Sequence, residues 1–105
     1  MNLLKYKKAN IIVNRIIRGY KPEKVIVFGS YARGDIHQGS DLDLVIIKNT
    51  KKKFLKRMDE VLELCDGEIA VGPLIYTQEE FDRMLSEGND FLETVVKEGI
   101  VVYER

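Results

Sequence analysis

The segment VIVFGSYARGDIHQGSDLDLVII, residues 25–47, constrains the fold more than any other stretch of the chain. Val25 to Phe28 is a short unbroken apolar run rich in β-branched residues, which reads as a buried strand. Gly29-Ser30 makes a tight turn, a polar excursion follows, and a second apolar run leads to Ile47. A strand–loop–strand unit of this kind can bring its two ends together at one end of a sheet. The second strand opens on Asp41 and Asp43, spaced i, i+2. Alternate strand residues share a face, so the two carboxylates point the same way, with Cβ atoms roughly 6–7 Å apart. Like charges held that close are unfavourable unless a cation neutralises them, and hard oxygen ligands suit Mg2+. Gly29-Ser30 offers backbone N–H groups and a hydroxyl, the donors a phosphate requires. Either half alone is ordinary: a Gly-Ser turn can simply join a strand to a helix, and strand-end aspartates can simply cap N–H groups. Together they point to a metal–nucleotide site.

The remaining elements follow from periodicity. Leu3 to Tyr20 carries a helical stripe through Leu4, Ala9, Ile12, Val13, Ile16 and Ile17, with Gly19 suited to its C-terminal end. Tyr31-Ala32-Arg33 is expected to form one helical turn, and Gly34 to Gly39 a loop. Lys51 to Cys65 reads as an amphipathic helix with Phe54, Leu55, Met58, Val61, Leu62 and Cys65 on its apolar stripe, closed by Asp66-Gly67. Glu68 to Tyr76 is a third strand whose Gly72-Pro73 requires an edge position or a bulge, because proline cannot donate to a ladder. Thr77 with Glu80 forms a capping-box pattern ahead of a helix through Phe81, Met84 and Leu85. After a turn at Glu87-Gly88-Asn89, a short helix runs through Phe91, Leu92, Val95 and Val96, Gly99 ends it, and Ile100 to Tyr103 adds a last strand. The order α-β-α-β-α-β-α-α-β predicts a small α/β (α+β) domain over residues 1–105, with a mixed sheet. Its helices are expected mainly on one side.

Composition narrows the function classes. With 105 residues, 45% hydrophobic and 32% charged, the chain can bury a single core and is not of the disordered kind. One cysteine, Cys65, cannot form an internal disulfide, which fits a reducing, cytoplasmic setting. No apolar run reaches the ~18–20 residues of a membrane span, and the opening MNLLKYKKAN lacks a signal-peptide core. Seventeen basic and seventeen acidic residues leave zero net charge, which argues against nucleic acid as the main partner.

GSYARGDIHQGSDLDL resembles the signature of the DNA polymerase β-type nucleotidyltransferase superfamily: Gly-Ser, ten residues, then Asp-x-Asp. The small size and the ending YTQEEFDRMLSEGNDFLETVVKEGIVVYER are similar to the minimal nucleotidyltransferases of bacteria and archaea. The resemblance implies the nucleotidyltransferase fold, a mixed, partly antiparallel sheet flanked by helices. It implies that Gly29 and Ser30 hold an NTP, with ATP expected, and that Arg33 adds a phosphate contact. Asp41 and Asp43 would be the catalytic, metal-binding pair, holding Mg2+ in a two-metal arrangement with the nucleotide. The implied reaction transfers a nucleoside monophosphate to a hydroxyl, phosphate or protein acceptor. A HEPN-type helical protein is the implied partner, the nucleotidyltransferase acting as antitoxin in a toxin–antitoxin pair. Self-association into a homo-oligomer stays open.

One departure from the family pattern bears on activity. A third carboxylate usually comes from the next strand, and the corresponding position holds Gly72. Glu68 has the same facing parity, but four strand residues put it about 13 Å away. A non-catalytic, nucleotide-binding antitoxin module is therefore the alternative function. His37 reads as an exposed loop residue, the 51–53 lysine run as a solvated face, and Cys65 as a buried packing residue.

Overall fold

The computed structural model describes residues 6–65 and 67–105. The expected helix start at Leu3 and Leu4, and Asp66 of the expected Asp66-Gly67 closure, lie outside the described residues. Helix α1 (Lys7–Tyr20) buries Ala9, Ile12, Val13 and Ile16 of the expected stripe, half-buries Ile17, and buries Tyr20 in addition. It is not ended by Gly19. Lys21 takes the left-handed conformation (φ 54°) and its N–H donates to Ile17 O at 3.2 Å. Gly19 instead makes room for Leu64: a Cβ there would lie 2.7 Å from Leu64 Cδ2.

Four strands form one sheet in the order β3-β2-β1-β4. Strands β1 (Lys24–Phe28) and β2 (Leu42–Ile47) are antiparallel, as are β1 and β4 (Ile100–Glu104), whereas β2 and β3 (Val71–Tyr76) are parallel. The mixed, partly antiparallel sheet is thus the one expected. Pro73 sits on the edge strand β3, and the register runs unbroken from Leu42↔Val71 to Ile47↔Tyr76, so the edge alternative holds and no bulge is needed.

Helices cover both faces, not mainly one. Val25, Val27, Leu44 and Ile46 pack with α1, the short helix α2 (Ser30–Arg33) and α3 (Phe54–Leu62). Ile26, Val45 and Ile47 point the other way and bury against Phe81, Leu92 and Val95 of α4 (Gln78–Ser86) and α5 (Asp90–Glu98). Five of the six β2 side chains are buried, which requires a layer on each side. The apolar runs in β1 and β2 reflect this two-sided burial.

Helix α3 is shorter than its expected span, and of its expected stripe Val61, Met58 and Cys65 face the core while two leucines do not. Leu55 is 73% exposed and Leu62 is exposed too, while Arg57 is buried at 6%. Arg57 Nε donates to Lys52 O (2.8 Å), and Nη1 donates to Ile75 O (3.2 Å) and Glu80 Oε1 (2.7 Å). Glu80 is also the capping-box residue of α4: its Oε1 accepts from Thr77 N–H (2.8 Å), and its N–H donates to Thr77 Oγ1 (3.1 Å). Arg57 therefore ties α3, the end of β3 and the start of α4 together. Its guanidinium and the Thr77 N–H hold the Glu80 carboxyl below the usual carboxylate range, against the opposing effect of burial. Cys65 is half-buried against the same core.

Candidate active site

The connection from β1 to β2 returns the chain to the same end of the sheet. In the antiparallel ladder Phe28 stands opposite Asp43, and in the parallel ladder Asp43 stands opposite Gly72. Asp43 shares its alternation with Val45 and Ile47, so its side chain emerges on the α4–α5 face. Asp41 lies two residues earlier, just ahead of β2, and is exposed.

Gly29 is required at its position for two reasons. Its backbone adopts φ 72°, ψ −150°, a conformation open to glycine. A Cβ there would also come within 2.5 Å of Asp43 Oδ2. Ser30 begins α2, whose first N–H groups have no partner within the helix. Tyr31 anchors this turn, buried at 6% and in edge-to-face contact with Tyr6 at 5.5 Å. Arg33 Nε pairs with Asp35 Oδ2 at 3.2 Å on the open surface. Within the following loop, His37 N–H donates to Ser40 Oγ and Ser40 N–H donates to His37 O, both at 3.0 Å.

A cleft of about 490 Å³ opens over these elements, and Gly29, Ser30, Arg33, Asp41 and Asp43 all line it. The five residues singled out from sequence are thus brought into one concavity. Burial pushes the Asp43 carboxyl above the usual carboxylate range, the Asp41 charge adds to this, and Arg33 pulls partly the other way. Neither aspartate side chain makes a hydrogen bond or ion pair among the described residues. Two under-compensated carboxylates fit a hard divalent cation. Among the described residues no group of three or more His, Cys, Asp or Glu side chains could hold a metal ion, so water and nucleotide oxygens would complete its coordination.

Gly72, at the position where the family pattern led us to expect a third carboxylate, stands beside Asp43. A Cβ on Gly72 would lie 3.2 Å from Asp43 Oδ1. Glu68 does not substitute: it precedes β3 and pairs with Lys8 at 3.6 Å. His37 and Ser40 line the cleft from the loop, and Phe28, Phe91, Thr94 and Glu98 line it from β1 and α5. The α5 group was missed from sequence. Its i, i+3, i+7 spacing marks one helix face, but nothing local says which part of the sheet that face meets.

Beyond this geometry, the chain as a whole is similar to known proteins. A family model described as "Polymerase beta, Nucleotidyltransferase" matches residues 10–105. The chain belongs to the polymerase β nucleotidyltransferase family. It is 30% identical over 86 residues to a Methanocaldococcus jannaschii protein named "Putative protein adenylyltransferase MJ0604", covering 77% of this chain and 78% of the relative. A second protein of that organism, "Putative protein adenylyltransferase MJ0141", is 34% identical over 61 residues, 53% of this chain and 61% of the relative. Among solved structures, a nucleotidyltransferase of Sulfolobus solfataricus, so described with the qualifier "putative", superposes with TM-score 0.64 at 26% identity. That match covers 94% of this chain and 79% of the other. A structure described as "the toxin-antitoxin with AMP-PNP" superposes with TM-score 0.65 at 19% identity, over 92% of this chain and 73% of the other, and shows the shared fold. Nucleotidyltransferases of this family generally use a divalent metal. Among the described residues, no helix of this family member is long and apolar enough to cross a membrane.

Proposed function

We propose that this chain, acting as one domain over residues 1–105 in the cytoplasm, transfers the nucleoside monophosphate of ATP to a hydroxyl of a protein acceptor. The observation that carries the reading is the convergence of Gly29, Ser30, Asp41 and Asp43 on one cleft. Gly29 and Ser30 hold the triphosphate through backbone N–H groups and the Ser30 hydroxyl, and Arg33 adds a cationic contact. Asp41 and Asp43 hold Mg2+. When bound, the metal would neutralise charge on the aspartates and phosphates and stabilise the attacking and leaving oxygens. In the transfer, the acceptor oxygen bonds to the α-phosphorus, the bond to the pyrophosphate oxygen breaks, and the acceptor proton leaves to water. A protein acceptor is favoured by the names of the two M. jannaschii relatives. The structural neighbour solved as a toxin–antitoxin with AMP-PNP supports a nucleotide and a protein partner, here of the HEPN type with this chain as antitoxin.

A second reading is favoured by Gly72. Without a carboxylate opposite Asp43, the chain would bind Mg2+–ATP as a non-catalytic antitoxin module. Incubation with α-labelled ATP, Mg2+ and the helical neighbour protein separates the two. Label on the neighbour, absent with Asp41→Asn or Asp43→Asn, supports transfer. Metal-dependent ATP binding without label supports the module, and no binding of ATP overturns both.

A further inference from the structure

The cleft has an uneven wall. Its apolar lining comes from Phe28, Phe91 and Val95, at the end of β1 and on α5; every other lining residue is polar or glycine. Phe91 is 41% exposed, yet its ring is held by edge-to-face contact with Phe28 at 5.4 Å. The helix that carries it is firmly set. Asn89 Oδ1 caps α5 by accepting from Leu92 N–H at 2.9 Å, and Leu92 and Val95 are buried. Its other end is drawn against β1 by Gly99, where a Cβ would lie 2.8 Å from Ile26 Cγ2 and 2.4 Å from Val95 O. Glu98, the last residue of α5, is thereby brought to the cleft, and its side chain makes no hydrogen bond or ion pair among the described residues. Phe91, Thr94 and Glu98 follow at i, i+3 and i+7, one row of the helix.

We propose that this row of α5 is the nucleoside half of the site: the base stacks on Phe91, and Glu98 accepts hydrogen bonds from the ribose hydroxyls. The inference rests on the nucleotide-binding reading above and deepens it. A Mg2+–triphosphate satisfies Gly29, Ser30 and the aspartates but has no use for an apolar wall. A base is flat and largely apolar on its faces, and stacking on an exposed ring is tolerant of base identity. A neutral diol is a suitable donor pair for a carboxylate that has no cation of its own.

The test compares Mg2+–ATP with Mg2+–tripolyphosphate, which has the phosphates but no nucleoside, by titration calorimetry on the whole chain without acceptor. Phe91→Ala is expected to weaken ATP binding about 10-fold and to leave tripolyphosphate unchanged. Phe91→Leu keeps an apolar contact to Phe28 and is expected to shift ATP in the same direction, which guards against misfolding of the alanine variant. Glu98→Gln is expected to weaken ATP but not 2′,3′-dideoxy-ATP. Unchanged ATP affinity in both Phe91 variants, or an equal loss for both ligands, overturns the proposal. If wild-type protein binds neither ligand, it is the nucleotide-binding reading itself that fails.

Discussion

Asp43 stands directly opposite Gly72 in the parallel β2–β3 ladder, so that a side chain at 72 would begin 3.2 Å from Asp43 Oδ1. The other carboxylate oxygen leans toward Gly29. The carboxylate is thus set between two residues without side chains, open to whatever the cleft binds.

Restoring a carboxylate at this position tests its role. Gly72 does not use a left-handed backbone, and the Cβ of Gly72→Asp needs only a few tenths of an ångström of adjustment. In metal-free protein at pH 7 the added charge beside Asp43 is expected to lower the melting temperature, and Mg2+ is expected to restore most of the loss. On the transfer reading, label transfer rises about 10-fold or more, a change of roughly 1.4 kcal/mol in the barrier. A calorimetric scan with and without Mg2+, and a label-transfer assay, check these outcomes.

Asp43→Asn should separate stability from function. The folded Asp43 carboxyl ionises less readily than in the unfolded chain, so the fold is favoured when it is protonated. Its penalty sets in as pH rises through the unfolded value, about 3.9, and is complete above the raised folded value. Metal-free Asp43→Asn is therefore expected to melt higher than wild type at pH 7, with the gain shrinking toward pH 4. Transfer should fall about a thousand-fold, the scale of several kcal/mol of lost charge stabilisation. Melting curves across pH and a rate assay read the two effects separately.

Gly29→Ala carries both a backbone and a contact penalty. Holding alanine at φ 72° is expected to cost about 1–3 kcal/mol, and its Cβ would press on Asp43 Oδ2. Urea denaturation should show a lowered midpoint with unchanged slope, and calorimetry should show lost binding of Mg2+–ATP.

The Arg57–Glu80 pair predicts a stability effect away from the site. Glu80→Ala leaves a buried guanidinium unpaired and removes one half of the α4 cap, for an expected loss of roughly 2–4 kcal/mol. Glu80 has a lowered folded value, so its contribution is present above the unfolded pKa and is lost as pH falls through the folded one. Wild type should therefore lose stability below about pH 4 more steeply than Glu80→Gln, as measured by denaturant midpoints at pH 3 and pH 6.

Much of this molecule was legible because its signals are local. Asp41-x-Asp43 on a strand start, the Gly29-Ser30 turn and the Thr77–Glu80 capping box depend on backbone geometry within a few residues. The stripe of α1 and the α4 cap were placed correctly for that reason. Helix α3 departs from its hydropathy pattern at Leu55 and Leu62, which are exposed, and at Arg57, which is buried. Arg57 turns inward since Ile75 O, Lys52 O and Glu80 satisfy its donors, and Leu55 turns outward in consequence.

The sequence by itself determined that Gly29, Ser30, Asp41 and Asp43 return to one end of a sheet, because chain connectivity and the two-residue period of a strand leave little freedom. Tertiary structure alone decided what surrounds them. The two-faced layering, the register that sets Gly72 against Asp43, and the approach of α5 to the cleft depend on which apolar surfaces bury one another across the sheet. Those pairings join residues far apart in the chain, and no local spacing encodes them.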